Sequence, residues 1–196
     1  RPFAFLPGKF VFTTVRNPWD WYVSLWAFGA DGKSAIRRYF AAHYPEAEVA
    51  ALYDRQDAAA SFRRWLQAIH DPAILDRIMT EHLPQSGLSA IMGLYSYRFL
   101  RVTTVYPRLL LRRALVTSAA AHLARFKAYR EALRSEELDD GLARLAKEQL
   151  GLSPEVMARI AATGRTNASS READYRPYYD EAACDLVARR DSLFPE

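Results

Sequence analysis

The pattern of apolar and polar positions predicts a short strand followed by a helix near the beginning of the chain. Residues 10–15 form a β-branched and aromatic run that is apolar nearly throughout, which is typical of a parallel strand covered on both faces. A helical pattern follows at residues 19–28, where Asn17 is a suitable N-cap and Pro18 suits the first helical position. The strand, the short turn and the capped helix together predict an α/β unit.

The remainder of the chain is predicted to be mostly helical. Apolar residues recur at helical spacing between residues 33 and 70. Residues 128–135 fit either a second strand or a helix, and their intrinsic propensity favours a helix. Other helices are predicted at residues 93–100, 139–150, 153–162 and 180–192. One helix-rich domain spanning residues 1–196, with a small and incomplete sheet, is therefore expected.

The composition indicates a globular chain without a metal centre. Half of the 196 residues are hydrophobic and 26% are charged, which is enough to bury a core. The single cysteine, Cys184, excludes an internal disulfide and a cysteine-based zinc cluster. His43, His70 and His122 have no carboxylate or cysteine neighbours at ligand spacing. We therefore expect no metal ion.

The numbers of basic and acidic residues indicate which kinds of partner the chain is expected to bind. The chain carries 23 Arg and only 4 Lys, with a net charge of +4. Arginine favours bidentate contacts with phosphate, sulfate or carboxylate, although a biased genome would produce the same composition. The charge is too modest and too evenly spread to indicate duplex nucleic acid. No apolar run is long enough to span a membrane and no signal peptide opens the chain, so a cytoplasmic location is expected.

Arg16 and Ser24 are the first candidates for binding an anion. Arg16 follows the predicted strand, at the edge where open α/β sheets bind ligands. Ser24 lies seven residues past the Asn17 cap, about 10 Å along the helix axis, so a phosphate at Ser24 cannot also contact the first helical amides. Arg16 would have to lie beside the helix and hold the anion against the Ser24 hydroxyl. The same pattern also fits an exposed arginine and a serine that faces solvent.

Five segments resemble sulfotransferases that use 3′-phosphoadenylyl sulfate, namely the membrane-associated type and its bacterial relatives. Residues 16–25, Arg-Asn-Pro-Trp-Asp-Trp-Tyr-Val-Ser-Leu, are similar to the 3′-phosphate-binding motif of that family. Residues 133–140, Leu-Arg-Ser-Glu-Glu-Leu-Asp-Asp, resemble its Leu-Arg-Thr-Glu-x-Leu block. Residues 167–170 and 175–180 resemble its Asn-x-Ser and Tyr-x-x-Tyr-Tyr segments, and residues 93–100 resemble a further family segment. The resemblance covers nearly the whole chain.

The resemblance implies a fold, a reaction and a set of binding residues. The fold would be an α/β domain like those of P-loop nucleoside triphosphatases, with residues 128–136 as a strand. The reaction would move a sulfuryl group from 3′-phosphoadenylyl sulfate to a hydroxyl acceptor such as a carbohydrate. Arg16 and Ser24 would bind the 3′-phosphate of this donor. Arg165 and Arg171 are additional candidates for phosphate contacts, with solvated loop charges as the open alternative.

Other candidate residues keep two interpretations. His82 is the one candidate for a general base or an acceptor contact, against a plain loop histidine. Glu136 is expected to hold the fold or orient the acceptor. The aromatic residues of the first helix either stack on adenine or pack in the core; they are Trp19, Trp21, Tyr22 and Trp26.

The sequence departs from the family at its phosphosulfate-binding loop. Sulfotransferases carry a strand followed by Pro-Lys-x-Gly-Thr-Thr or similar before the Arg-Asn-Pro motif, and residues 6–10 resemble it only superficially because no Thr or Ser follows Lys9. We therefore expect a family member that lacks its first strand and loop, roughly 30–60 residues. Such a chain would bind nucleotide yet transfer sulfate negligibly, and its strand at residues 10–15 would favour self-association.

Two rival functions remain. The first is a non-catalytic helical module, derived from the same fold, that keeps only nucleotide binding or an interaction. The second is a kinase-like phosphoryl transferase. The absence of a Gly-x-x-x-x-Gly-Lys-Ser/Thr loop and of a plausible magnesium-binding pair argues against the kinase.

Overall fold

The computed structural model describes residues 9–80, 87–112, 116–162 and 171–193. Within these ranges two short strands and a series of helices make up the chain. Strand β1 spans Phe12–Val15 and strand β2 spans Glu131–Arg134. The helices α1–α10 span Pro18–Ala30, Ala35–His43, Glu46–Leu52, Ala58–Ile69, Pro72–Thr80, Leu94–Thr103, Ala119–Phe126, Leu138–Leu145, Pro154–Ala161 and Glu181–Arg190. The predicted helix-rich α/β class with a small parallel sheet is confirmed.

The two strands run parallel although about 115 residues separate them in the chain. Their register pairs Thr14 with Leu133 and Val15 with Arg134. The helix that propensity favours at residues 128–135 is therefore wrong. Pairing with β1 supplies backbone hydrogen bonds that override the helical preference of the Glu-Ala-Leu-Arg sequence of β2.

Local capping determines where α1 begins. The Asn17 side chain accepts hydrogen bonds from the backbone N–H groups of Trp19 and Asp20, and Pro18 occupies the first turn. Asp20 places a negative charge in that turn, where the helix dipole favours it. These observations confirm the cap predicted from the Arg-Asn-Pro sequence.

The main core lies between α1 and the helices that follow it. Trp26 of α1 packs edge-on against Phe62 of α4, which also contacts Tyr178 near the carboxyl end of the chain. Trp26, Phe62 and Trp65 have no more than 1% of their surface exposed. Burying aromatic side chains of this size provides much of the stability of a small domain. Helix α1 is therefore held firmly, and the residues at its start are held with it.

Strand β1 is less covered than the sequence predicts. Phe12 is 41% exposed, and Thr14 is also exposed. Because Phe12 and Thr14 lie on the same face of the strand, the prediction of burial on both faces is wrong. Within the described ranges β1 has β2 as its one strand neighbour, so both strands are edge strands. Phe10 and Phe12 line an apolar cavity of about 230 Å³ with residues of α8 and α9. Self-association through the free edge stays a prediction.

Among the described residues, none of the helices combines the length and the apolar character that crossing a membrane requires.

Candidate active site

The carboxyl ends of β1 and β2 bring two of the motif segments together. Arg16 and Asn17 follow β1, and a short 3₁₀ turn, Ser135–Glu137, follows β2. The backbone N–H of Asn17 donates a 2.9 Å hydrogen bond to Oε1 of Glu136. Glu136 therefore ties the turn after β2 to the start of α1, which fits the fold-holding role expected for it.

The third motif segment packs on the same point from the carboxyl-terminal part of the chain. The Asn17 side-chain amide donates to the Tyr175 hydroxyl at 3.2 Å. The hydroxyl of Tyr179 donates to the backbone carbonyl of Trp19 at 3.0 Å. The Tyr-x-x-x-Tyr residues thus hold the carboxyl-terminal segment against the first turn of α1.

Tyr95 of α6 fixes the backbone of Arg16. Its hydroxyl accepts a hydrogen bond from the Arg16 N–H at 2.9 Å and donates one to the Arg16 carbonyl at 2.6 Å. Burial, the largest influence, raises the pKa of Tyr95 to about 12, so the hydroxyl keeps the proton that it donates. The backbone from which the Arg16 side chain extends is therefore rigid.

Asp20 joins two of the three arginines that were predicted to bind phosphate. Nε of Arg16 lies 2.5 Å from Oδ2 of Asp20, and Nη2 of Arg171 contacts Oδ1 of the same carboxylate. The Arg171 side chain is only 8% exposed, and its Nη1 also donates to the carbonyl of Glu172. Arg171 therefore serves chiefly to neutralise Asp20 and hold it in place.

Arg16 is the more open of the two guanidinium groups. Its side chain is 33% exposed and engages Asp20 through Nε. Within the described ranges no acceptor contacts its two Nη atoms. A guanidinium that is anchored through Nε presents its Nη groups as a pair of donors in fixed positions, which suits a phosphate or sulfate group.

The amides at the start of α1 are already paired within the protein. Asn17 caps the N–H groups of Trp19 and Asp20, and Glu136 accepts the N–H of Asn17 itself. An anion held by Arg16 would therefore have to lie alongside the helix, which is the arrangement expected from the spacing of Arg16 and Ser24. Ser24 follows Asp20 by one turn, about 6 Å along α1, on the same face of the helix and partly buried.

The aromatic candidates of α1 differ in how deeply they are buried. Trp19, Tyr22 and Trp26 are buried with at most 3% exposure, so they belong to the core. Trp21 is partly exposed and packs against Tyr95. Among the four aromatic candidates, Trp21 is therefore the side chain with surface available to a nucleotide base.

Two predicted site residues cannot be placed. Arg165 and His82 lie outside the described residues, as do residues 167–170. Residues that the sequence reasoning missed include Tyr95 and the bridging role of Asp20. The four-residue spacing of Arg16 and Asp20 was a usable signal for that ion pair, whereas nothing local indicates the contact between Asp20 and Arg171, which are 151 positions apart.

Replacing Asn17 with alanine is expected to destabilise the fold by about 1–2 kcal/mol, because two helical N–H groups lose their acceptor. Urea unfolding followed by circular dichroism measures this change. Asn17→Asp is the matched control: it keeps the capping oxygen and is expected to recover most of the loss. Equal destabilisation by both variants would contradict the capping role.

Comparison with known proteins gives no match: no family model, curated protein or solved structure is similar to this chain. The arrangement of Arg16, Asp20, Glu136, Arg171 and Tyr175 is therefore the basis for assigning a function.

Proposed function

We propose that the site at the end of β1 binds the 3′-phosphate of 3′-phosphoadenylyl sulfate, and that the chain is a sulfotransferase. The observation that carries this proposal is the meeting of three distant segments at residues 16–20. Glu136 contacts Asn17 across 119 positions, and Tyr175 contacts it across 158. These are the segments that resemble sulfotransferase motifs, and a shared ligand site requires such motifs to lie together. The two parallel strands would then be part of the larger sheet of a P-loop-like fold.

Arg16 would provide the main contact with the 3′-phosphate. Its backbone is fixed by Tyr95 and its Nε by Asp20, so little side-chain entropy is left to lose when a phosphate binds. The two Nη groups would donate to phosphate oxygens, and Ser24 would add a hydroxyl donor further along α1. Arg171 would support this geometry by balancing the charge of Asp20, while Arg165 stays a candidate contact.

Asp20 sets the electrostatic balance of the site. A carboxylate next to a phosphate site is repulsive unless its charge is compensated. Arg171 compensates it from a position with 8% exposure, where the ion pair is screened less by solvent than a surface pair is. The charge of Arg16 is then available to the ligand.

The proposed reaction is an in-line displacement at sulfur. The acceptor hydroxyl oxygen would attack the sulfur of the donor, and the bond from sulfur to the bridging phosphate oxygen would break. The hydroxyl proton would pass to a base, for which His82 is the candidate, and adenosine 3′,5′-bisphosphate would leave. Cationic groups near the bridging oxygen would stabilise the charge that develops there.

A labelled donor separates the enzyme from the non-catalytic alternative. The chain is incubated with donor labelled in its sulfate group, and retention on the protein and transfer to a panel of hydroxyl compounds are measured separately. Retention that adenosine 3′,5′-bisphosphate competes away is expected. Transfer in addition would assign the enzyme, and retention without transfer would support the 3′-phosphate site alone. A chain that retains no donor would contradict both.

A further inference from the structure

Three polar side chains form a cluster inside the core, which we call the buried triad: Tyr22 of α1, His70 at the end of α4 and Asp191 after α10. Their exposed fractions are 0%, 4% and 1%. The Tyr22 hydroxyl lies 2.6 Å from Oδ2 of Asp191 and 3.2 Å from Nε2 of His70. Side chains buried this deeply form few hydrogen bonds with water, so each polar atom needs a partner within the protein.

The outer contacts of the triad determine where its hydrogens lie. Nδ1 of His70 is 2.8 Å from the carbonyl of Leu66, which can only accept, so Nδ1 carries a hydrogen. Oδ1 of Asp191 accepts the backbone N–H of Ser96 at 2.7 Å, and the Tyr22 hydroxyl accepts the backbone N–H of Tyr95 at 3.3 Å. The inner contacts, from Asp191 to Tyr22 and from Tyr22 to His70, must be satisfied by the hydrogens that remain.

Counting those hydrogens exposes a conflict. With Asp191 ionised and His70 neutral, the single hydroxyl hydrogen of Tyr22 is the only one available for two contacts. One contact would then place two lone pairs against each other in the core. One additional proton removes the conflict. On Asp191 it leaves the triad uncharged, with Asp191 donating to Tyr22 and Tyr22 donating to Nε2 of His70. On Nε2 of His70 it would leave an imidazolium and a carboxylate buried in the core, which is the costlier arrangement.

We propose that the buried triad holds this additional proton on Asp191 in the folded protein at neutral pH, so that the fold is a pH-sensitive device which alkaline conditions weaken. The inference is independent of the anion site at Arg16. It follows from the distances, from the number of hydrogens that these groups carry, and from the cost of burying two charged groups in the core.

The surroundings of the triad favour the same assignment. Burial is the largest influence on each group: it raises the pKa of Asp191, lowers the pKa of His70 to about 4 and raises the pKa of Tyr22. Tyr95 and Tyr179 also face Asp191 from α6 and from the segment before α10. Hydrogen bonds with Tyr22 and Ser96 and the charge of Arg190 act in the opposite direction and lower the pKa of Asp191, although burial outweighs them and Nη1 of Arg190 is directed to the carbonyl of Ser89.

The direction of the pH dependence follows from linkage. The raised pKa of Asp191 adds to the free energy of unfolding at low pH, and this stabilisation is lost as the pH rises. The reason is that the folded chain holds a proton that the unfolded aspartate releases near pH 3.9. The lowered pKa of His70 has the opposite effect, so that it makes stability rise with pH between about pH 4 and 6.5. The two effects on stability offset each other in that range. Above about pH 6.5 only the loss of stability caused by Asp191 remains.

Asp191→Asn tests the assignment because asparagine reproduces the uncharged form: its carbonyl accepts from Ser96 and its amide donates to Tyr22. The folding equilibrium constants of D191N and of the natural chain are measured by urea unfolding from pH 5 to pH 7. Their ratio is expected to rise in favour of D191N by about tenfold per pH unit, about 100-fold in all. A ratio that stays constant over this range would show that Asp191 is ionised and would overturn the proposal.

Asp76→Asn is the matched control. Asp76 is also buried, but its two oxygens accept the backbone N–H groups of Gly87 and Ser89, so a carboxylate there meets donors on both sides. The ratio for D76N is expected not to rise with pH. An equal rise for both variants would contradict a role specific to the triad.

A second measurement needs no variant and covers the case in which D191N fails to fold. Infrared spectra of the natural chain, unlabelled and labelled with ¹³C-aspartate, are compared at pH 7. A protonated-carboxyl band that shifts with the label and disappears on unfolding is expected. Its absence from the folded chain would overturn the proposal.

Discussion

Replacing Arg16 with alanine is expected to remove most of the preference of this chain for adenosine 3′,5′-bisphosphate over adenosine 5′-monophosphate. A charge-assisted contact of this kind contributes about 1.5–3 kcal/mol, so the preference should fall by about 10- to 150-fold. The reason is geometric: the Nη groups of Arg16 have no acceptor among the described residues, while Nε and the backbone are held by Asp20 and Tyr95. Calorimetric titration of each variant with both nucleotides measures the change.

Two further variants make the Arg16 test specific. Arg63→Ala removes another half-buried arginine, 30% exposed and paired with Asp180, and is expected to leave the preference unchanged. Arg16→Lys is expected to restore it only in part, because an ammonium group cannot reproduce the two donors of the guanidinium. An R16A chain that keeps the full preference would show that the 3′-phosphate binds elsewhere.

Replacing Gly93 with alanine is expected to cause the largest loss of stability. A Cβ atom at this position would lie 2.5 Å from Oδ2 and 2.7 Å from Oδ1 of Asp191. Asp191 is buried and bonded to Tyr22 and Ser96, so it cannot move aside without losing those hydrogen bonds. Overpacking costs about 1–3 kcal/mol, and unsatisfied buried groups cost about 1–3 kcal/mol more.

The combined cost for Gly93→Ala is therefore about 2–6 kcal/mol in the free energy of unfolding, measured with urea. Gly151→Ala is the control, because that glycine has φ of 56° and no atom within 4 Å of a Cβ. Its cost is limited to about 1–2 kcal/mol of backbone strain. If G93A destabilises no more than G151A does, the close packing of Asp191 against the start of α6 is contradicted.

The elements that sequence reasoning predicted correctly are those with local signals. The Asn17 cap and Pro18 act within one helical turn, so the beginning of α1 could be read directly. Strand β2 could not be predicted in this way, because its four residues are mostly helix formers. They form a strand because they pair with β1. Non-local pairing of this kind leaves no local pattern.

The same distinction applies to the site. The position of Arg16 at the end of a strand and the motif around it identified the anion-binding candidate from the sequence. The ion pair of Asp20 with Arg171 and the hydrogen bonds of Tyr95 join residues that are 151 and 79 positions apart. These contacts depend on how the helices pack, which the order of residues along the chain does not specify. Because of these contacts, the guanidinium of Arg16 is partly exposed and that of Arg171 is buried.

Titration of the natural chain with three nucleotides tests the proposed 3′-phosphate site most directly. Adenosine 3′,5′-bisphosphate, adenosine 2′,5′-bisphosphate and adenosine 5′-monophosphate are compared by calorimetry in one buffer at one salt concentration. The site predicts that the 3′,5′-bisphosphate binds at least about tenfold more tightly than either of the other two, as expected for a charged hydrogen-bonded contact made by the 3′-phosphate alone. Equal affinity for all three nucleotides would contradict it.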